Sequence, residues 1–449
     1  MTDVSPAYDS EPAISVGLIE EAESVSILLD GGFRDSSGRT LAPGQYRVTA
    51  QDAGISVRGP SAFDAHEISL RPVDEQKSRF TLNALIGIDF HWQQERTQTY
   101  QGSLRIEPAT DGHFRVINDI SLEKYIASVI CSEMRSTSPA DLARAHAVIS
   151  RSWLLAQLAR KETPANDGTA NARPNGEIIR YYDREGHADF DVCADDHCQR
   201  YQGIVDESSR SVRDAVMETR GRVLVHAGSI CDARFSKCCG GVSEDFRTAW
   251  SEENVDYLVP VFDGPQGRLP SPPLTEEDAL REYIHKPPEV FCNCTDDSIL
   301  DRVLNPYDRK TRDFFRWRVE LSAERVTELT TEKLGVNLGR ILALQPVERG
   351  LSGRLKRLRL VGEHASLVIG KELEIRRALS PSHLYSSAFV VDTLGPDARP
   401  DAFVLHGAGW GHGVGLCQIG AAVMAMRGRG YEEILAHYYP YTSLERIYP

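Results

Sequence analysis

Residues 116–161 read VINDISLEKYIASVICSEMRSTSPADLARAHAVISRSWLLAQLARK, and the architecture around them follows from their periodicity. Leu122, Tyr125, Ile126, Val129 and Ile130 recur at helical spacing, which predicts an amphipathic helix over 121–132. Ser138-Pro139 opens a second helix, with Ser as N-cap, Pro at the first helical position and Asp141 three residues after the cap. Ala145, Val148, Ile149, Leu155 and Leu158 give that helix an apolar stripe. Glu133 then falls in or just past the last turn of the first helix, before a tight link. A carboxylate at that end meets the negative pole of the helix dipole, a place suited to holding and releasing a proton. The plain alternative is a surface glutamate at a helix end.

Upstream, residues 13–115 read as β-structure. Ile14–Ile19 and Ser24–Leu29 alternate apolar with small or polar residues, and turn signals follow at Asp30-Gly31-Gly32 and Pro43-Gly44. Short strands are expected at 46–50, 55–58, 67–70, 80–82, 87–92 and 103–108. This N-terminal β-module, residues 1–115, either recognises a substrate or packs as a flank on residues 116–449. The fold class is therefore α+β, β-rich, with a helical segment at 116–161 as the candidate catalytic part.

Downstream, 162–185 is polar and rich in Gly, Pro and Asn, which predicts a long loop. HADFDVCADDHC then places His187, Cys193 and Cys198 as H-x5-C-x4-C, with His197 beside the last. Soft and borderline ligands this close together can hold zinc, and Cys239 of Cys238-Cys239-Gly240-Gly241 is a candidate fourth ligand across space. Small buried cysteines are the competing explanation. Residues 205–220 suggest a helix, and Ala227-Gly228 a hairpin. The stretch 251–312 is a loop-rich insertion with a C-x-C pair at Cys292 and Cys294. From 313 onward strand and helix alternate, with RGLSGR (349–354) as a turn between strands.

Glycine occupies 407, 409, 411, 413 and 415, every second position. If that run is extended, one face is bare backbone while Trp410 and His412 project from the other. Trp410 then offers a plate for a sugar ring and His412 a proton carrier. A glycine-rich strand packed against the Glu133 helices fits the same pattern.

Bulk properties narrow the function. The chain has 449 residues, 41% apolar and 26% charged, enough for two or three cores. A net charge of −14 disfavours nucleic acid and anionic lipid as partners. No run approaches the ~18 apolar residues of a membrane span. MTDVSPAYDSEPAISVG has neither a basic n-region nor an apolar h-region, so no secretory leader or anchor is expected in this sequence. Nine unevenly placed cysteines point to reduced thiols and not to a disulfide framework.

LEKYIASVICSEM followed by ARAHAVISRSW resembles the SpoIID/LytB family, marked by Leu-x-x-Tyr…Ser-Glu-Met and a following Ala-x-x-x-Arg. HGAGWGHGVGLCQIG with HYYP resembles that family's closing motif. The resemblance implies an enzyme of peptidoglycan: a lytic transglycosylase acting on glycan strands stripped of stem peptides, with Glu133 as acid and base. No organic cofactor is implied. It places Arg151 in the Ala-x-x-x-Arg position, to orient Glu133 or hold glycan. It adds Gln199, Tyr201 and Ser243 to Trp410 and His412 on the substrate side. Ser236 stands where the family commonly has His, while Ser243 and Glu244 match. Glu244 is a second candidate carboxylate, or a solvated loop glutamate. The LytB branch implies a different role, a non-catalytic glycan-binding protein that recruits or enhances an amidase.

Overall fold

The computed structural model describes residues 8–449 except 53, 89–92, 110–111, 161–170, 174–176, 183–186, 205–208, 266, 306–307 and 309–312, and the backbone alone at 171–173. The fold is α+β and β-rich. Two sheets are built almost wholly from residues 13–121. One runs in the order Val192–Cys193, Ala13–Ala22, Phe114–Ser121, Ser103–Pro108, Ile68–Pro72, Phe33–Asp35, Thr40–Leu41. The other runs Gln94–Tyr100, Arg79–Ile86, Ser24–Asp30, Gly44–Gln51, Gly54–Arg58, Phe63–Ala65. Alternation does its usual work in these strands: Val25, Ile27 and Leu29 are buried while Ser26 and Leu28 face solvent. Side chains from both sheets share one core. The strand expected at 87–92 falls partly outside the described residues, and the edge strand is Gln94–Tyr100.

Residue 115 lies within a strand. Phe114–Ser121 pairs with Ala13–Ala22 on one side and Ser103–Pro108 on the other, then passes directly into helix α1, Leu122–Glu133. Tyr125, Ile126 and Val129 of α1 continue the same core. Helix α2, Ala140–Arg160, is buried from Leu142 to Ala156 at every position except Arg144. Ala147, Leu154 and Leu155 enter the N-terminal core, while Ala145, Val148 and Ile149 enter a second core shared with the C-terminal residues. The apolar stripe is thus wider than its five residues, because α2 lies between two cores.

The second core includes Gln418–Met426 and Tyr431–Tyr438, the two terminal helices. A third lies between a five-stranded sheet and the strands Arg316–Ser322, Ala402–Ala408 and Phe389–Leu394. The loop expected at 162–185 lies largely outside the described residues, and the described part contains strands. Asn171–Arg173 pairs with Glu177–Ile179, which adds in parallel to Ser366–Gly370. Its polar composition masked strands that a neighbouring sheet edge recruits. No described helix is long and apolar enough to cross a membrane.

Candidate functional site

Helix α1 stops at Glu133, with Met134 N still donating to Ile130 O at 2.9 Å. Glu133 is 8% exposed, and its Oε1 accepts from Arg200 N at 3.2 Å. Two cations lie at this end of α1, each paired with another acid. Lys237 Nζ donates to the Glu133 carbonyl at 2.9 Å and to Asp308 Oδ2 at 3.1 Å. The Arg200 guanidinium pairs with Asp196 at 2.5 Å and reaches Asp308 at 3.6 Å. Burial, reinforced by the nearby Glu133 and Asp195 charges, pushes the Asp196 carboxyl up to about 7. The site therefore holds acids besides Glu133, though Asp196 and Asp308 are committed to Arg200 and Lys237.

The loop over Glu133 is the Cys/His segment. His187, Cys193, His197 and Cys198 bring one ligand atom each to within 4.8 Å of one another and could hold a metal ion. Cys198 Sγ lies 3.5 Å from His187 Nε2 and 3.5 Å from His197 Nδ1, and Cys193 Sγ lies 3.8 Å from His197 Nδ1. A tetrahedral ion with metal–sulfur bonds of about 2.3 Å and metal–nitrogen bonds of about 2.0 Å has sulfur–nitrogen edges of about 3.5 Å, so the donor set fits. The ligand expected from Cys239 does not come. His197 completes the group, and Cys239 lies in a separate cluster. The turn Asp195–Cys198 brings His197 back onto Cys193, which a chain reading of H-x5-C-x4-C left open.

This loop is tied down at both ends. Val192–Cys193 adds to Val16–Gly17 in parallel, and Asp191 accepts from Ser15 N and Oγ at 2.9 Å. Asp195 accepts from Gly87 N and Ile88 N at 2.8 Å. Beyond the cluster, Gln202 N donates to Ser132 Oγ at 3.1 Å. The N-terminal sheets thus hold the Cys/His loop, and that loop presents Arg200 to Glu133.

The other residues singled out in the sequence lie deeper. Arg151 is fully buried and pairs with Glu123, at 3.1 and 2.6 Å, and with Arg222 O at 2.8 Å. Glu123 also accepts from Gly221 N and Tyr448 Oη. Its partner is thus the first turn of α1, not Glu133 at the last. Tyr201 is 1% exposed, donates to Asn118 Oδ1 at 2.6 Å and stacks on Tyr125 at 5.2 Å. Gln199 is buried, and its Nε2 lies 3.5 Å from Ser150 O. Ser243 is buried, with its hydroxyl between Val259 O and Val261 N. Glu244 is no solvated loop residue: it is fully buried, bonded to Ser352 Oγ at 2.6 Å and Asp245 N at 2.8 Å, and burial raises its pKa. Ser236 is 6% exposed.

The glycine run is not extended. The strand ends at Ala408, and Gly409, Gly411, Gly413 and Gly415 have φ of +78°, +89°, +76° and +72°. Every second position needs a left-handed backbone, which glycine adopts without a Cβ clash. The chain thereby coils around Arg354, which is fully buried. Gly411 O accepts from Arg354 Nε and Nη2 at 3.2 and 3.1 Å, and Cys239 O accepts from Nη1 at 3.0 Å. A Cβ on Gly413 would lie 2.3 Å from Arg354 Cζ. Spacing by two can mean one face of a strand or alternating handedness, and composition alone does not separate them.

Trp410 is half-buried, stacked on Phe314 at 6.3 Å and edge-on to Tyr385 at 5.5 Å. His412 lies against Trp250 at 4.6 Å and its Nδ1 accepts from Val414 N at 3.1 Å. Burial, with Arg234 and Arg354 nearby, holds its pKa well below 6.5, so the ring is neutral. Residues 235–238 connect this run to Glu133. Lys237 reaches the Glu133 carbonyl, while Cys238 exchanges backbone bonds with Trp410 at 3.1 and 2.8 Å. Gln418 Nε2 meets His146 Nε2 of α2 at 3.1 Å. Lys237, Arg200 and Asp308 went unremarked in the sequence; a Lys before two cysteines carries no signal of its own.

Residues 110–226 match the family model described as stage II sporulation protein, and 244–415 match a domain of unknown function (DUF8618). Stage II sporulation protein D of Bacillus subtilis is 22% identical over 348 residues, covering 76% of this chain and 80% of that protein. This chain's SpoIID match and this similarity support its membership of the SpoIID/LytB family. Its SpoIID match contains α1, Glu133, α2 and the Cys/His loop, whereas the glycine run lies outside that match. An uncharacterized protein of Brachyspira hyodysenteriae is 25% identical over 368 residues, 82% of this chain and 74% of the relative. The amidase enhancer of Bacillus subtilis is 27% identical over 238 residues, 51% of this chain but only 32% of that relative.

Proposed function

We propose that this SpoIID/LytB protein acts on the cell wall as a lytic transglycosylase, cleaving the MurNAc–GlcNAc bond with Glu133 as its acid and base. The observation that carries the reading is the placement of Glu133: one carboxyl at a helix end, held by the Arg200 backbone N–H, with Lys237 on the Glu133 main-chain carbonyl. Glu133 gives its proton to the glycosidic oxygen as the C1–O bond breaks. The muramic 6-hydroxyl attacks C1, and its proton passes to the Glu133 carboxylate. The product is a 1,6-anhydro sugar, with no water consumed. An ordinary glycosidase needs a second free carboxylate, whereas Asp196 and Asp308 are both ion-paired here. An open recess next to Glu133 in the chain is lined by Arg135, Ser138, Asp301 and Arg302. Arg135 and Arg302 suit the lactyl carboxylates that appear once stem peptides are removed, which supports stripped glycan as substrate.

Zinc is the ion we assign to His187, Cys193, His197 and Cys198. It serves by holding the 193–200 loop, and hence Arg200, on Glu133. Elemental analysis should find it, and Cys193→Ser should lower the melting temperature. For the reaction, mass analysis of products from purified stripped glycan is decisive. Wild type should yield anhydro ends and Glu133→Gln none. Turnover by the Gln variant removes Glu133 from the chemistry; reducing ends from wild type make Asp196-assisted hydrolysis the better account.

A second reading draws on the relative named amidase enhancer and on the near-burial of Glu133. On that reading the chain binds glycan and recruits an amidase. Stimulation of a wall amidase by wild type and Glu133→Gln alike, without glycan products, would establish it instead.

A further inference from the structure

Cys239 left the first cluster for a second one. Cys239, Asp263, Cys292 and Cys417 each bring a ligand atom to within 4.8 Å of the others, and all four are fully or almost fully buried. Cys239 Sγ and Cys292 Sγ are 3.7 Å apart. That is too long for a disulfide, whose sulfurs are about 2.0 Å apart. It matches the sulfur–sulfur edge of about 3.8 Å in a tetrahedron with metal–sulfur bonds of about 2.3 Å.

The surroundings are arranged for anionic ligands. Cys417 caps the N-terminus of Gln418–Met426, where the dipole favours a thiolate, and its sulfur accepts from Gly420 N at 3.4 Å and Cys239 N at 3.2 Å. Gly241 N donates to Cys239 Sγ at 3.4 Å. Asp263 Oδ2 accepts from Cys292 N at 2.8 Å and Oδ1 from Tyr438 Oη at 2.6 Å. Gly420 has no room for a Cβ, which would stand 2.3 Å from Asp263 Oδ1. Each ligand but Cys292 thus has its own outer hydrogen bond, the pattern that orients metal ligands. Three thiols and a carboxyl sealed from water need a cation if they ionise, because buried charge is otherwise too costly.

We propose that Cys239, Asp263, Cys292 and Cys417 form a second metal centre, a closed tetrahedral zinc site independent of the Cys/His loop. Four protein ligands with no open position make it structural. Its ligands come from four separate segments, two of them in the loop-rich insertion 251–312. The ion ties that insertion to Cys417, two residues past the glycine run, and to residues 235–239, which carry Lys237 to the Glu133 carbonyl. A region short of regular secondary structure gains through the metal the cross-link that its own strands do not provide.

The test is metal stoichiometry by elemental analysis of full-length protein purified without added metal. Wild type should carry two zinc ions per chain. Cys292→Ser and Asp263→Asn should each carry one, as should Cys198→Ser, while Cys294→Ser, whose half-exposed thiol lies outside the cluster, should keep two. Should the Cys292 and Asp263 variants not fold, Cys198→Ser decides alone. Loaded with cobalt(II), it should keep three of five thiolate ligands, and so about three-fifths of the wild-type thiolate–cobalt absorbance. One zinc in wild type, lost entirely in Cys198→Ser, overturns the second centre. So does a Cys239–Cys292 disulfide found by intact mass after alkylation. A wild type holding one zinc that Cys198→Ser retains and Cys292→Ser loses keeps this centre and removes the Cys/His one.

Discussion

The helical pair at 122–160 and the glycine run at 407–415 each enclose a fully buried arginine, and they do so by opposite means. Arg151 is held mainly by a side chain, Glu123, one helix away. Arg354 is held mainly by backbone, the carbonyls of Gly411 and Cys239. A side-chain enclosure leaves helix ends and faces free for other work, and Glu133 occupies such an end. A backbone enclosure uses the chain itself as wall, so its residue types are dictated by conformation. The difference teaches that two stretches of equal prominence in the sequence can divide labour, one towards the chemistry proposed above and the other towards the fold.

The largest expected effect tests the chemical half of that division. Glu133→Gln should lower glycan cleavage by on the order of 10²–10⁴-fold, while the thermal midpoint stays near wild type. Loss of folding in this variant would erase the contrast, since both stretches would then be structural.

The next effect concerns stability alone. Gly413→Ala combines an unfavourable left-handed backbone with a clash against the Arg354 guanidinium. Strain and overpacking together should cost roughly 2–6 kcal/mol in chemical denaturation. Gly428 has φ of +82° but nothing within 4 Å of its added Cβ. Gly428→Ala should therefore lose only about 1–2 kcal/mol. Equal losses at the two positions would mean that backbone handedness, and not the enclosed arginine, sets the requirement.

A smaller, graded effect reports on the place where the two stretches meet. His146 is buried between Ser150 and Gln418, against Phe235 and near Lys237. Burial, with the Lys237 charge, lowers its pKa from 6.5 to about 3. The unfolded chain takes up a proton below pH 6.5 that the folded chain refuses. Stability is thus complete above 6.5 and drains as pH falls towards about 3, by about 1.4 kcal/mol per pH unit at most. His383 and His412 are lowered in the same sense and add to the slope. His146→Gln should flatten part of the acid limb of stability against pH. An unchanged limb would mean that His146 is protonated within the fold.

What local periodicity can express was readable from the chain. The apolar positions of 122–130 specify α1, Ser138-Pro139 marks where α2 begins, and the alternation of 24–29 and 103–108 places strands that the structure contains. His187, Cys193 and Cys198 stand within twelve residues, so a turn suffices to gather them, and their grouping could be anticipated. Glu133 could be located at a helix end for the same reason, since i, i+3, i+4 spacing is a property of neighbours.

Tertiary structure alone decided the rest. Cys239, Asp263, Cys292 and Cys417 span almost 180 residues, and no spacing rule unites them. Lys237 reaches the Glu133 carbonyl, and Asp308 pairs with Lys237, because segments far apart in sequence pack there. Arg151 carried a family position but found Glu123, because helix packing chooses among all carboxylates within reach. The alternating glycines admit either an extended strand or a left-handed coil, since a residue without a Cβ is indifferent to the choice until Arg354 occupies the space inside.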